Sequence, residues 1–479
     1  MFQKVLVANR GAVAARVIRT LRSLGVRSVA VYSDADAGAP YLAEADTAIP
    51  IGPAPARASY LNPEILLDAV RRTGADALHP GYGFLAESSG FAWRVQDLGA
   101  RFIGPSPRWI ELMAHKVRAR EVAAALGLPT VRGSGVLSGD VGEMRAAAAS
   151  IGFPVMVKPA AGGGGLGMHV ARCERDLVDA MASASSLAYR LFGNWDVYLE
   201  QLLPHPRHVE FQILGDRFGA VRSLFERDCS VQRRHQKIIG ESPAPAAASA
   251  SDGSGDRHWP ALAELAVRIA SALARLGYDN IGTVETLIDA DGTVRFLEMN
   301  PRLQVEHAVT EAVTGVDLVA AQIRSAAGDD LGSILPRSVA VRGHAIEARV
   351  YAEDPETLIP SCGTLTTFRP PSGPGVRVET GYAEGRELTP YYDSLLAKVV
   401  VHGADRADAI GRLRDALAGF AVAGVRTNLP LLLAVLRSER FRAGRLDTGL
   451  VSELRAAEAV PVLGGGLRRG DGVSDGPSP

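Results

Sequence analysis

The sequence predicts a multidomain protein that combines α/β and α+β architecture. Three observations support this prediction: a strand–helix–strand pattern within residues 4–32, two strand pairs in the middle of the chain, and a strand-rich stretch from about residue 335. A chain of 479 residues is too long for one compact core. We therefore expect roughly three domains.

The first element is a βαβ unit. Val5–Ala8 forms a strand, a helix follows with apolar residues at positions 13, 17, 21 and 24, and Ser28–Tyr32 forms the second strand. Strands joined in this way pair in parallel, so we expect a Rossmann-like N-terminal domain. Asn9-Arg10-Gly11 occupies the first strand-to-helix turn and lacks the glycine pattern of a dinucleotide site, which argues against a nicotinamide cofactor.

A glycine-rich turn joins the next pair of strands. Phe153–Lys158 and Met168–Ala171 read as strands, and the residues between them include four consecutive glycines from Gly162 to Gly165. A P-loop would need Gly-Lys-Ser/Thr at the start of a helix, and that pattern is absent here. Exposed glycine amides can instead close over phosphates as a mobile lid.

A second hairpin carries acidic residues. Ile281–Ile288 and a strand ending at Asn300 flank the turn signal Asp289–Gly292. In a regular pair, position 288 faces 293, Glu285 faces Phe296 and lies diagonal to Glu298, and Phe296, Glu298 and Asn300 share a face. Neighbouring carboxylates repel unless a cation lies between them, and magnesium bridging phosphates suits such oxygen ligands. The alternative is a solvated sheet face.

Positive charge accumulates in the same central region. Lys116, Lys158, His208 and the segment 227–237 supply cations and hydrogen-bond donors. His208, Glu210 and Gln212 share one strand face, and three apolar residues alternate with them. Cations beside a metal-holding carboxylate pair fit a nucleoside triphosphate, which proteins bind by positioning and electrostatics.

Composition excludes several classes of protein. A net charge of −1, with 47% hydrophobic and 22% charged residues, argues against disorder and against nucleic-acid binding. No run approaches the ~20 apolar residues of a membrane span or resembles a secretory signal. Cys173, Cys229 and Cys362 show no disulfide or metal-ligand spacing, so we expect free thiols and the cytoplasm. We expect a mobile insertion at 246–258 and a disordered tail over 456–479.

Eight motifs along the chain resemble those of one family, biotin carboxylase of the ATP-grasp superfamily, from about residue 3 to about residue 455. They are Ala8–Gly11, His79–Phe84, Gly162–Met168, Pro206–Glu210, Arg227–Ser230, Gln232–Lys237, Glu298–His307 and Tyr391–Ser394. The resemblance implies an N-terminal α/β domain at 1–113, an ATP-grasp domain at 114–334 with a glycine-rich lid at about 131–203, and a C-terminal domain at 335–455.

The resemblance also implies roles for individual residues. The ATP-binding positions would be Lys116, Lys158, the Gly164 and Gly165 amides, His208 and His235, with Glu200, Gln201, Leu202 and Leu203 against adenine. The metal ligands would be Glu285, Glu298 and Asn300, holding two magnesium ions, with manganese as a substitute. Bicarbonate would bind Lys237, Arg302, Gln304 and the Val305 amide.

The implied reaction is the carboxylation of biotin through carboxyphosphate. Glu306 would act as the base that deprotonates bicarbonate, Arg349 would stabilise the biotin enolate, and Tyr82 would line the biotin pocket. Because no Met-Lys-Met biotinylation motif occurs, we expect biotin to arrive on a separate biotin carboxyl carrier protein. A carboxyltransferase subunit would complete an acetyl-CoA or other acyl-CoA carboxylase, commonly of fatty acid biosynthesis, and a homodimer is expected.

Several positions depart from the family pattern. They are Ala12, Ala114-His115, Leu166, Gln201 and Gly240. None is an implied metal, bicarbonate or base position, so we expect altered nucleotide affinity and lid closure, and a slow enzyme, rather than a different reaction. Two alternatives remain open: another ATP-grasp ligase that joins a carboxylate to an amine, and a nucleotide-binding paralogue with weakened catalysis.

Overall fold

The structure is a computed structural model that describes residues 1–161, 167–245 and 258–459. Three predicted features lie outside the described residues: the lid glycines Gly164 and Gly165 with Leu166, nearly all of the insertion at 246–258, and the tail from residue 460. What was expected of these segments stays a prediction.

The N-terminal region is a five-stranded parallel sheet with strand order β3-β2-β1-β4-β5. Its elements are β1 (Lys4–Val7), α1 (Gly11–Ser23), β2 (Arg27–Tyr32), α2 (Pro40–Glu44), β3 (Thr47–Pro50), α3 (Pro63–Thr73), β4 (Ala77–His79), α4 (Ser89–Asp97), β5 (Arg101–Phe102) and α5 (Pro107–Ala114), with short 3₁₀ helices at Asp34–Asp36 and Ala56–Ala58. The predicted βαβ unit is confirmed: Val13, Val17 and Leu21 of α1 are buried against the sheet.

The central region contains a four-stranded sheet and most of an eight-stranded sheet. Its elements are α6 (Lys116–Ala125), β6 (Gly133–Val136), α7 (Val141–Ile151), β7 (Val155–Pro159), β8 (His169–Ala171), α8 (Glu174–Phe192), β9 (Val197–Gln201), β10 (Arg207–Gly215), β11 (Val221–Arg233), β12 (Gln236–Ser242), α9 (His258–Arg275), β13 (Asn280–Ile288), β14 (Val294–Asn300), α10 (His307–Thr314), α11 (Leu318–Ala327) and α12 (Leu331–Ile334). The four-stranded sheet has the order β6-β9-β7-β8, and β7 and β8 pair antiparallel as predicted.

The remaining elements extend the larger sheet. They are β15 (His344–Tyr351), β16 (Gly363–Thr364), β17 (Thr367–Arg369), β18 (Val376–Thr380), β19 (Glu387–Leu388), β20 (Leu395–Gly403), α13 (Arg406–Ala418), β21 (Ala421–Ala423), α14 (Leu429–Arg437), α15 (Glu439–Arg442) and α16 (Leu450–Ala459). The eight-stranded sheet runs β14-β13-β10-β11-β12-β15-β20-β18, so it continues across residue 335. Two further pairs, β16-β19 and β17-β21, form separate two-stranded sheets.

The third region differs from its sequence pattern in one respect. In the strand-rich stretch predicted from about residue 335, the first strand begins only at His344, and every residue of β15 is buried. The reason is the position of β15 inside the large sheet, with α10 packed on one face and α13 on the other. Its polar residues therefore face other buried groups rather than solvent.

The acidic hairpin forms, but its predicted register is wrong. Ile288 faces Val294 rather than residue 293, and a bulge at Leu297 brings Glu285 directly opposite Glu298. Phe296 therefore pairs with Thr286 and packs into the core with Met299, not on the face of Glu298. Because the turn is one residue longer than predicted, the register shifts by one residue. The extra residue at the bulge then places Phe296 and Glu298 on opposite faces of the strand.

Two further predictions concern the membrane and the thiols. Among the described helices, none has the length and apolar character needed to cross a bilayer. All three cysteines are free: Cys229 is buried, Cys362 is exposed and Cys173 is intermediate.

Candidate active site

A row of charged side chains crosses one face of the eight-stranded sheet. Glu298 on β14 faces Glu285 on β13, Glu285 faces Glu210 on β10, and Glu210 faces Arg227 on β11. The predicted alternation of β10 is confirmed, because Val209, Phe211 and Ile213 pack into the core beneath. Directly opposite residues place their Cβ atoms ~4.5–5.5 Å apart, so three adjacent carboxylates require nearby cations.

Lys237 on β12 supplies one of those cations. Its ammonium lies 2.6 Å from Glu210, 2.9 Å from Glu285 and 2.9 Å from Glu306. We refer to Glu210, Lys237, Glu285 and Glu306 as the carboxylate–lysine cluster. Burial alone would lower the pKa of Lys237, but the three carboxylates raise it well above its ordinary value. Lys237 therefore stays charged and holds the cluster together.

Glu285 is the most heavily bonded carboxylate of the row. His208 Nε2 lies 2.7 Å from it, and Asn300 Nδ2 and Gln304 Nε2 each donate a hydrogen bond of 2.8 Å. Burial would raise the pKa of Glu285, yet Lys237 and His208 lower it below its ordinary value. Gln232 fixes the His208 ring by a contact of 2.8 Å to Nδ1, which leaves Nε2 directed at Glu285.

Two lysines approach the site from the smaller sheet and its leading helix. Lys116, the first residue of α6, forms an ion pair with Glu298, and Lys158 on β7 forms one with Glu200 on β9. Burial would raise the pKa of Glu298, but Lys116 lowers it. His115 is the N-cap of α6, and its Nδ1 accepts from the Arg118 amide at 3.4 Å. This departure from the family pattern thus keeps an N-cap in place.

The loop after β14 presents a guanidinium and an amide. Arg302 donates to Gln304 Oε1 at 2.6 Å and to Asn300 Oδ1 at 3.1 Å, and its Nε lies 3.0 Å from Glu87. The Val305 carbonyl accepts from Lys398 at 2.7 Å. Glu87 thus fixes the start of the segment 302–305, and Lys398 fixes its end.

Glu306 connects the carboxylate–lysine cluster to β15. It occupies the N-cap position of α10, but its side chain makes no capping hydrogen bond and instead lies 2.6 Å from Arg349 and 2.9 Å from Lys237. Burial would raise the pKa of Glu306, whereas Lys237 and Arg349 lower it well below its ordinary value. The helix N-terminus favours the same charge, so Glu306 is ionised in this structure.

The remaining predicted residues surround this centre. Tyr82 is half-buried in the loop after β4, where burial raises its pKa to about 12 and Arg349 is one of its charged neighbours. Gln201 accepts from Arg132 at 3.2 Å, Leu202 is half-buried and Leu203 is buried, and this segment follows directly from Glu200. His235 is solvent-accessible in the turn between β11 and β12, and partial desolvation by the surrounding chain together with nearby Lys158 lowers its pKa.

The carboxylates opposite each other on β13 and β14 fit a divalent cation. Both Glu285 and Glu298 are ionised because lysines lower their pKa values, and both are oxygen donors on one face of the sheet. Asn300 adds an amide oxygen beside them. Magnesium prefers this donor set.

Three residues of the site were not among the predicted site residues. Glu210 completes the carboxylate–lysine cluster, Glu87 orients Arg302, and Lys398 supports Val305. The position of Glu210 on the face of His208 was a usable signal. Glu87 and Lys398 lie more than 90 residues from their partners and left no local pattern.

Three family models match consecutive parts of the chain. They are described as biotin carboxylase N-terminal domain over residues 1–110, carbamoyl-phosphate synthase L chain ATP binding domain over 115–334, and biotin carboxylase C-terminal domain over 347–453. These segments together cover most of the sequence.

Individual relatives agree with the family models. A biotin carboxylase of Halalkalibacterium halodurans is 43% identical over 452 residues, covering 94% of this chain and 98% of that protein. A pyruvate carboxylase subunit of Methanothermobacter thermautotrophicus is 44% identical, covering 95% and 90%. The biotin carboxylase domain dimer of Hydrogenobacter thermophilus 2-oxoglutarate carboxylase, solved with MgADP, ADP and bicarbonate, has a TM-score of 0.88 at 42% identity and covers 95% and 98%. The chain belongs to the biotin carboxylase family of ATP-grasp ligases.

Proposed function

We propose that this chain uses ATP and bicarbonate to carboxylate biotin on a separate carrier protein, through carboxyphosphate. The observation that carries the proposal is the placement of Glu306 between Lys237 at 2.9 Å and Arg349 at 2.6 Å. One cation belongs to the carboxylate–lysine cluster and the other lies beside the Tyr82 loop. A single carboxylate therefore borders both the proposed bicarbonate site and the proposed biotin pocket.

The nucleotide end of the site is built from cations and oxygen ligands. Lys116, Lys158, His208 and His235 would bind phosphates, the strand end after Glu200 would contact adenine, and the Gly164 and Gly165 amides would cover the phosphates. Glu285, Glu298 and Asn300 would hold magnesium, which when bound neutralises the triphosphate charge. The Hydrogenobacter thermophilus domain, solved in complex with MgADP and bicarbonate, supports this part of the proposal.

The bicarbonate end would use Lys237, Arg302, Gln304 and the Val305 amide. Glu306 takes the bicarbonate proton, and the resulting oxygen nucleophile attacks the γ-phosphorus while ADP leaves. In free protein, cations hold the pKa of Glu306 low, which makes it a weak base. Anionic substrates that draw Lys237 and Arg349 away would raise its pKa and strengthen it.

The biotin end would use Arg349 and Tyr82. Carboxyphosphate breaks into CO2 and phosphate, phosphate takes the N1 proton of biotin, and N1 attacks CO2. Arg349 stabilises the negative charge on the ureido oxygen. Closure of the glycine lid would exclude water, which destroys carboxyphosphate.

The partners in the proposal are a biotin carboxyl carrier protein, a second copy of the chain and a carboxyltransferase subunit, in the cytoplasm. Relatives include components of pyruvate and 2-oxoglutarate carboxylases, so acetyl-CoA is one candidate for the final acceptor among several. The proposed domain limits of 1–113, 114–334 and 335–455 are supported by the three family-model segments.

The deciding experiment is a coupled ADP-release assay with and without bicarbonate, each with and without free biotin. We expect turnover that requires bicarbonate and rises with biotin. A carboxylate–amine ligase would instead respond to an amine acceptor, and a weakened paralogue would bind ATP without turnover. Either result would overturn the proposal.

A further inference from the structure

Glu347 is a buried carboxyl group to which the proposed mechanism gives no role. It lies on β15 two residues before Arg349, on the same face of the strand, and has no exposed surface. Neither of its carboxyl oxygens has a hydrogen-bond partner among the described residues. A buried carboxyl group without hydrogen bonds is costly, so its presence calls for a physical explanation.

Two cations flank the group at more than hydrogen-bond length. One Glu347 oxygen lies 3.6 Å from Arg349 Nε, and the other lies 3.7 Å from Lys398 Nζ. Both cations have shorter contacts elsewhere: Arg349 with Glu306 at 2.6 Å, and Lys398 with Glu379 at 2.6 Å. Glu347 is therefore a second carboxyl group beside Arg349, close enough to attract its charge but not hydrogen-bonded to it in this structure.

Titratable groups from several elements face Glu347. The facing groups are Arg349 on its own strand, Lys398 on β20, Glu379 on β18, Glu306 at the start of α10 and Tyr82 in the loop after β4. On β12 the opposite residue is Gly240, which brings no charge. Burial raises the pKa of Glu347 to about 7, and Lys398 and Arg349 only partly offset this.

We propose that Glu347 is a positioning residue that holds Arg349 in the biotin pocket once Glu306 has taken the proton of bicarbonate. This inference rests on the proposed function. In the free protein Glu306 is the anion that fixes Arg349. When Glu306 becomes neutral it loses most of that hold, and Glu347 is the carboxylate that still lies beside the guanidinium.

The change at Glu306 also favours the charge that Glu347 needs. The negative charge of Glu306 is one of the causes that raise the pKa of Glu347, so its neutralisation lets Glu347 remain ionised at lower pH. Arg349 then has Glu347 behind it and the negative ureido oxygen of biotin in front. Glu347 touches no reacting atom and acts only through Arg349.

The test separates the two halves of the reaction in Glu347→Gln, which keeps the shape of the side chain and removes its charge. Bicarbonate-dependent ADP release without biotin should stay within about twofold of the parent, because Arg349 serves the biotin half. The KM for free biotin should rise about tenfold at pH 8, since a hydrogen bond to a charged group is lost, and the rise should be smaller at pH 6, where Glu347 of the parent is ionised in a smaller fraction of molecules. Glu311→Gln is the matched control, because Glu311 is also buried and paired with two arginines, Arg16 and Arg377, away from the reacting groups.

Several outcomes would overturn the proposal. A parental KM for biotin in Glu347→Gln at both pH values, or an equal loss of both activities at both pH values, would leave Glu347 with a structural role only. If Glu347→Gln does not fold, Glu347→Asp, which keeps the charge but shortens its reach to Arg349, decides: an unchanged KM for biotin in that variant overturns the inference. A parent with no bicarbonate-dependent ADP release refutes the proposed function itself, which distinguishes the two failures.

Discussion

Glu306→Gln is the substitution that tests the assigned base most directly. Glutamine has nearly the same shape as glutamate, so it can still fill the space between Lys237 and Arg349. It cannot accept a proton at working pH. The other predicted contacts of the nucleotide, such as Lys116 and Lys158, are left unchanged by this substitution.

The expected size of the effect follows from the contacts of Glu306. Loss of a general base costs ~10²–10⁴-fold in rate, which we expect for bicarbonate-dependent ADP release. The variant should also be less stable, because removing one partner of a buried ion pair costs ~3–5 kcal/mol when the other charge is left alone. We expect the lower end of that range or less, since Lys237 keeps Glu210 and Glu285, and Arg349 keeps Glu347 at 3.6 Å.

Three measurements decide the result: ADP release with saturating bicarbonate, nucleotide affinity by calorimetry, and thermal unfolding. We expect a large loss of turnover with nucleotide affinity within about threefold of the parent. Glu311→Gln controls for the loss of a buried, doubly paired carboxylate elsewhere on α10. Turnover near that of the parent in a folded Glu306→Gln variant would refute the role of Glu306 as base.

Three further predictions follow from the same structure. Glu298→Gln should raise the magnesium concentration needed for half-maximal ADP release by ~10-fold or more, because one of two opposed carboxylates is lost. An unchanged magnesium dependence would contradict the assignment of Glu298 as a metal ligand. Glu347→Gln should gain stability relative to the parent as pH rises from 5 to 8, by up to ~3 kcal/mol. The reason is that the parent's carboxyl group, with a folded-state pKa of about 7 and an ordinary value of 4.5, binds more protons in the folded than in the unfolded state over that interval. Denaturant unfolding at both pH values should show the difference, and an equal change in both proteins would argue against the raised pKa. Gly282→Ala should lower the free energy of unfolding by ~1–3 kcal/mol, since the added methyl group would overlap the Tyr278 hydroxyl and lie 2.9 Å from Met299 Cε. Gly90→Ala is the control, because a methyl group there meets nothing within 4 Å. Equal losses of stability in the two variants would refute the steric argument.

The acidic hairpin shows which features the local sequence pattern can predict and which it cannot. The two strands and the turn were predictable from alternation and from Asp-Ala-Asp-Gly. The bulge at Leu297 was not, because it depends on Phe296 entering a core formed with residues of β13 and α9. The sequence therefore predicted that Glu285 and Glu298 are neighbours, but it placed them diagonally rather than directly opposite.

Contacts between distant segments of the chain also limited what could be predicted from the sequence. Lys398 and Glu347 are charged residues within strands whose pattern gives no indication of full burial. They are buried because the eight-stranded sheet continues from the central region into β15 and β20 and places them under α10. That arrangement joins segments about 100 residues apart, as in the contact between Lys398 and Val305, and no local spacing encodes it.

The ion pairs of the free protein explain how the proposed ligand positions stay ready. A buried carboxylate without a counter-ion would take up a proton and could no longer bind a cation. Lys116 prevents this at Glu298, and Lys237 does so at Glu285 and Glu306. In the proposed reaction the same lysines turn to phosphate and bicarbonate, so each substrate charge replaces a carboxylate partner rather than meeting an unpaired lysine. Much of the desolvation that substrate binding requires has therefore already occurred on folding, and the substrates meet charges that are fixed in place.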